Sequence, residues 1–124
     1  MNRMELKNYI EEVYGVTPDC PWADSPDHEV YRHTTNRKWF GLIMPVKRSH
    51  FGLDGDGEID VVNLKCDPVM IGSVRMNRGV YPAYHMNKAN WISVALDGTA
   101  DEEMIKMLLC MSYDLTAPRM RKKN

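Results

Sequence analysis

The sequence predicts an α+β domain whose elements run α-β-β-β-α-β-β-α. Three observations lead there. Leu6, Tyr9, Ile10, Val13 and Tyr14 recur at i, i+3, i+4, i+7 and i+8, the period of a helix with one apolar stripe. Glu29 to His33, Lys38 to Val46 and Glu58 to Cys66 are strand-length runs separated by turn residues. Asp67-Pro68 and Thr99-Ala100-Asp101-Glu102 carry helix-start chemistry just before apolar periodic stretches.

The first helix stops at Gly15, and Pro18 prevents its resumption. The stretch that follows, with Pro18, Pro21 and Pro26 among acids, sustains neither period and forms a loop, which Trp22 is expected to pin to the core. Two strands then meet across Thr34-Thr35-Asn36-Arg37, a short polar turn. The second is apolar on both faces around Phe40-Gly41-Leu42-Ile43-Met44 and belongs inside the sheet. In the third strand Ile59 and Val61 hold one phase and Val62 and Leu64 the other, which signals a bulge or burial on both sides.

Asp67 caps and Pro68 opens a second helix, kept apolar by Val69, Met70, Ile71, Val74 and Met76 and ended by Gly79. Trp91 to Leu96 is a strand closed by Asp97-Gly98. Thr99 and Glu102 read as a capping box, Thr99 bonding forward and Glu102 back. The helix they open carries Ile105, Leu108, Leu109, Ser112 and Tyr113, widened by Met104, Met107 and Met111, and should cover one face of the sheet. Pro118 ends it, leaving Arg119, Arg121, Lys122 and Lys123 in a basic tail over 118–124 that is expected to fray.

A chain of 124 residues, 44% hydrophobic and 27% charged, reads as one soluble domain over 1–124. No apolar run approaches the roughly 20 residues of a membrane span, and no signal peptide is visible, so no membrane partner and a cytoplasmic location are expected. Cys20, Cys66 and Cys110 are too few and too far apart for a disulfide framework. Cys66 and Cys110 fall on apolar elements, where a buried thiol is inert.

The net charge of −1 hides an asymmetry. Residues 1–29 hold Arg3 and Lys7 against seven acids. From Val30 to Leu53 there is no acid, while Arg32, Arg37, Lys38, Lys47 and Arg48 supply positive charge. Between Asp67 and Asp97 only Arg75, Arg78 and Lys88 are charged. Such stretches suit phosphates if they converge, although the pI near 6.4 implies weak, salt-sensitive binding. Arg75 and Arg78 also favour the negative end of their own helix.

The polar cluster before the Trp91 strand is the most unusual local feature. His85, Asn87, Lys88 and Asn90 put four polar side chains into six residues. Either Asn87 and Asn90 tie down a tight turn, or the cluster is a polar lip that binds something. The run from Tyr81 to Gly98, with its His85-Met86-Asn87-Lys88 core, Trp91 and Leu96-Asp97-Gly98, resembles the signature of the MmcQ/YjbR family. Tyr31-Arg32-His33, Lys38-Trp39-Phe40, Lys65-Cys66-Asp67-Pro68 and Met111-Ser112-Tyr113 extend the likeness over nearly the whole chain. The resemblance implies a two-layer sandwich, an antiparallel sheet with helices on it, similar to secretion chaperones and described in the family as a double wing. It also implies DNA binding, and it brings no catalytic motif.

Asp54-Gly55-Asp56-Gly57-Glu58-Ile59-Asp60 imitates the middle of an EF-hand, but the twelfth ligand position falls on Asn63 and the flanks are strands. A glycine-rich hairpin tip is the better reading. His28, His33 and the cysteines lack zinc-ligand spacing, and no phosphate loop or nucleophile signature is present, so no metal, cofactor or enzymatic activity is expected. Two partner classes follow. In the first, DNA phosphates meet Arg32, Arg37, Lys38, Lys47, Arg48, Arg75, Arg78 and Lys88, with His85, Asn87 and Asn90 along the rim and the two asparagines reaching base edges. In the second, a protein, peptide or small ligand uses an exposed sheet edge or a groove between the N-terminal helix and the sheet. The oligomeric state stays open.

Overall fold

The computed structural model describes residues 1–118, so the basic tail beyond Pro118 lies outside the described residues. The elements come in the expected order: helix α1 (Arg3–Tyr14), strands β1 (Glu29–Arg32), β2 (Trp39–Lys47) and β3 (Glu58–Lys65), helix α2 (Ile71–Val74), strands β4 (Val80–Pro82) and β5 (Trp91–Ala95), and helix α3 (Glu102–Thr116). The strands form one antiparallel sheet in the order β1-β2-β3-β5-β4. This is the two-layer α+β sandwich.

Local chemistry sets the element ends. Asn2 and Glu5 form a capping box at α1, each side chain accepting the other's backbone amide at 2.9 Å. Gly15 closes the helix in the left-handed region at φ 66°. At α3 the expected cap is displaced by two residues. Asp101, not Thr99, is the N-cap and accepts the Met104 amide, while Thr99 donates its hydroxyl and amide to Asp97. The adjacent Asp97 carboxylate outcompetes the helix for the Thr99 side chain.

The second helix is shorter than expected. Asp67 accepts the Val69 amide, but only Ile71–Val74 is helical. Gly72 and Ser73 lie mid-segment, and the Ser73 hydroxyl bonds back to the Met70 carbonyl, chemistry that favours turns. Ile71 and Val74 are buried, whereas Val69 and Met76 are 91% and 87% exposed. Gly79, at φ 80°, has room for nothing larger: a Cβ there would lie 2.8 Å from that of Ala100.

The sheet separates two apolar clusters. On one face Leu6 and Ile10 of α1 and Ile105, Leu108 and Leu109 of α3 meet Tyr31, Ile43, Val62, Leu64, Ile92 and Val94. On the other face Val30, Leu42, Met44, Val46, Ile59, Val61 and Ala95 gather with no α-helix over them; Tyr81 of β4, Phe51 at the end of the 3₁₀ turn Arg48–Phe51, and Leu53 and Tyr84 from connecting segments pack against part of the cluster. The phase change within β3 is therefore burial on both sides, because its register with β2 runs unbroken from Leu42↔Asn63 to Lys47↔Glu58. The bulge lies elsewhere. Tyr31 pairs with Gly41 and Arg32 with Trp39, which leaves Phe40 as the extra residue. It packs on the helix side while Trp39 and Leu42 serve the opposite face.

Polar anchors complete the helix side. Glu29 is buried and takes Arg3 at 3.1 Å and Lys7 at 2.7 Å, and Arg3 also reaches Asp60 at 3.2 Å, clamping α1 to β1 and β3. His33 is 3% exposed and donates Nε2–H towards the Tyr113 carbonyl and the Thr116 hydroxyl, and the burial holds its imidazole below its ordinary pKa. Burial likewise pushes the Cys66 thiol up, as its apolar setting implied. Cys110, expected to be buried, is exposed on α3.

Candidate functional site

The helix-free face carries a trough. Three recesses of about 360, 340 and 420 Å³ lie along it. The first two share His28, Met44 and His85, and the second and third share His50 and Tyr84, so they form one continuous depression. Leu42 and Met44 of β2 make its floor. One wall is the 22–28 segment and the other is the 84–88 segment.

Each wall is fixed by local bonding. The isolated bridge Asp19↔Val30, two hydrogen bonds of 2.8 Å, ties the loop after α1 to the outer edge of β1. Two successive turns follow, Ser25 donating to the Trp22 carbonyl and His28 to that of Ser25, and Arg3 holds the Asp27 carbonyl at 2.8 Å. Trp22 does not enter the core as expected. It is 38% exposed and meets Trp39 edge to face, ring centres 5.7 Å apart, because the turns hold its indole over the sheet's open side.

The opposite wall hangs from a buried polar network. Asn63 and Ser93, cross-strand partners on β3 and β5, are both fully buried. Ser93 donates to the Asn63 Oδ1 and accepts the Tyr84 amide at 3.0 Å, while Asn63 Nδ2 donates to the Tyr84 carbonyl at 2.8 Å. Both backbone groups of Tyr84 are thus satisfied by side chains from the sheet. The next residue, His85, is held at φ 62°, uncommon for a residue with a Cβ. His85 lines both of the first two recesses.

The cationic and rim residues singled out in the sequence divide among different places. Arg32 and Arg37 share Asp19, at 2.9 and 3.5 Å, and Arg32 also lies over the Trp39 ring. Lys38 is exposed at the end of the β1–β2 turn. Arg48 donates to the Asp54 carbonyl at 2.7 Å and helps hold the 48–57 connection, the hairpin tip that the glycines announced. Arg75 and Arg78 are exposed just after α2, whose buried residues belong to the helix-side cluster, and Arg78 shares a recess with Asp101. Lys47 and Lys88 are at the trough, Lys47 beside Asp27 and Glu58. Asn87 ties its own turn, its Oδ1 taking the Ala89 amide and its carbonyl those of Asn90 and Trp91. Asn90 accepts the Cys66 amide through its backbone.

Of the rim residues, then, His85 and Lys88 face the trough. Trp22, His28, Trp39, Met44, Asn63, Ser93 and Met86 were not singled out as a site. A tryptophan in a proline-broken acidic loop and buried-polar Asn63 in an apolar strand were the available signals. The sheet edges are also blunted. Asp19 occupies both hydrogen-bonding groups of Val30 on β1, and β4 is three residues long and ends in Pro82. The space between α1 and the sheet is filled by fully buried Leu6 and Ile10. The groove thus lies on the opposite face from the expected one.

Among the described residues no three His, Cys, Asp or Glu side chains come together to hold a metal ion, and no helix is long and apolar enough to cross a membrane. The YjbR family model matches residues 11–115. The Bacillus subtilis protein YyaQ is 43% identical over 116 residues, 94% of this chain and 98% of its own. A crystal structure of a Pseudomonas syringae protein, 42% identical, superposes with a TM-score of 0.92 over 94% of this chain and all of that one. A Deinococcus radiodurans protein at 24% identity, with a TM-score of 0.67 over 92% of this chain and 77% of its own, shares the fold. With the family model spanning most of its length and relatives above 40% identity matching nearly end to end, the chain belongs to the YjbR family.

Proposed function

We propose that this protein is a non-enzymatic binding module that takes a small ligand in the trough on the helix-free face of its sheet. The observation that carries this reading is the union of a mostly aromatic and apolar lining with a recess of about 360 Å³, within the usual size range of ligand sites. The walls are preorganised by turns and by the Asn63–Ser93 network, so little ordering cost opposes binding. The single bridge on β1 and the short, proline-ended β4 argue against a peptide added as an extra strand.

DNA binding draws less support from the geometry. Arg32 and Arg37 share a carboxylate, Arg75 and Arg78 follow α2, whose buried residues join the helix-side cluster, and Asp27 and Glu58 stand beside Lys47. Lys47 and Lys88 at the trough favour a weak, salt-dependent contact at most.

Ligand-observed NMR with a library of small aromatic and heteroaromatic fragments tests the proposal. Fragments should bind the protein and lose binding in Trp22→Ala. A library with no hit sensitive to that substitution would refute it.

A further inference from the structure

We propose that the corner of the trough made by Trp22, Trp39 and His28 binds the head of a small alkylated ammonium ion, a cation of choline size. The inference rests on the ligand-binding reading above and adds the chemistry of the ligand. Trp22 stands at 80° to Trp39 and at 87° to His28, with ring centres 5.7 and 6.0 Å apart. Rings meeting near right angles make the two sides of a corner in which a compact cation can lie against a ring face, where the quadrupole is negative.

Charge in the corner has the matching sign. Asp24 lines the same recess, and among the described residues no lysine or arginine lines it. Trp39 already attracts one cation within the molecule, since the Arg32 guanidinium carbon lies 5.4 Å from its ring centre. Arg32 is tied to Asp19 and does not line the recess. A methylated ammonium suits this lining better than a primary one, because it brings no N–H donors that an apolar wall would leave unsatisfied. Leu42, Met44 and Met86 supply that apolar surface.

The experiment is a titration of the full chain with choline and with its neutral isostere 3,3-dimethylbutan-1-ol, read by the indole NMR resonances. Choline should shift the Trp22 and Trp39 indoles saturably, and the isostere should bind roughly tenfold more weakly. Asp24→Asn, at an exposed loop position, should weaken choline by a similar factor with an unchanged backbone spectrum, and Trp22→Ala should abolish the shifts. Equal affinity for the isostere, or an unchanged affinity in Asp24→Asn, overturns the cation inference and leaves the ligand-binding reading standing. Indoles unmoved by either compound also overturn it, while the fragment library decides the wider reading independently.

Discussion

The two faces of this sheet are built from the same strands and put to different uses. On the helix side, alternate residues of β3 and β5 enter a closed core with α1 and α3, and the polar groups there, Glu29 and His33, are buried and bonded. On the other side the intervening residues form an apolar floor that connecting segments cover only in part. The difference teaches that a face left without a helix can still be ordered, provided that its covering loops are bonded to the sheet. Here the bonds run from Asn63 and Ser93 to Tyr84, and from Val30 to Asp19.

Substitutions on the helix side should cost the most. Leu109→Ala, at a fully buried position in α3, is expected to lower the unfolding free energy by about 3 kcal/mol in urea denaturation. A loss below about 1 kcal/mol would show that this face is not the stabilising one. Next comes the network beneath the trough wall. Ser93→Ala leaves the Tyr84 amide and the Asn63 carboxamide short of partners and should cost about 1–3 kcal/mol. It should also speed hydrogen exchange at Tyr84, which ties the effect to the wall.

Acid should weaken the helix side through His33. Its pKa is lowered in the fold by burial, so the unfolded chain binds the proton more readily. The contribution is complete above the unfolded value of 6.5 and is lost as pH falls below it. Denaturation midpoints measured between pH 5 and pH 8 should therefore decline on the acid side, and the decline should be shallower in His33→Gln. The smallest effect on stability belongs to the trough. Trp22→Ala should change it by only about 0.5 kcal/mol, since the indole is partly exposed and packs on other wall residues. A large loss there would mean that Trp22 belongs to the core after all.

What was legible in the sequence follows the same division. Helical period fixed α1 and α3, and the continuous apolar runs of β2 and β3 announced burial on two sides, because burial is written in side-chain chemistry at short range. The start of α3 was misplaced because Thr99 and Asp101 are both competent caps, and only the fold puts Asp97 against Thr99. The second helix was overextended because Val69 and Met76 look apolar in a list but face outward on either side of the short helical turn Ile71–Val74. The trough was not legible. It joins the 22–28 loop, β2 and the 84–88 segment, which meet through a strand order in which β5 lies between β3 and β4. Charge runs along the chain could not show which cations a carboxylate holds: Asp19 pairs with both Arg32 and Arg37, across 13 and 18 residues of sequence.

A chemical-shift map of isotope-labelled protein titrated with small aromatic fragments tests most directly whether the helix-free face is the binding side. The account predicts that the responding signals are the Trp22 and Trp39 indoles and the His85 and Met86 amides, with Arg75 and Arg78 unmoved. Shifts confined to α2, α3 and the arginines around Asp19 would contradict it.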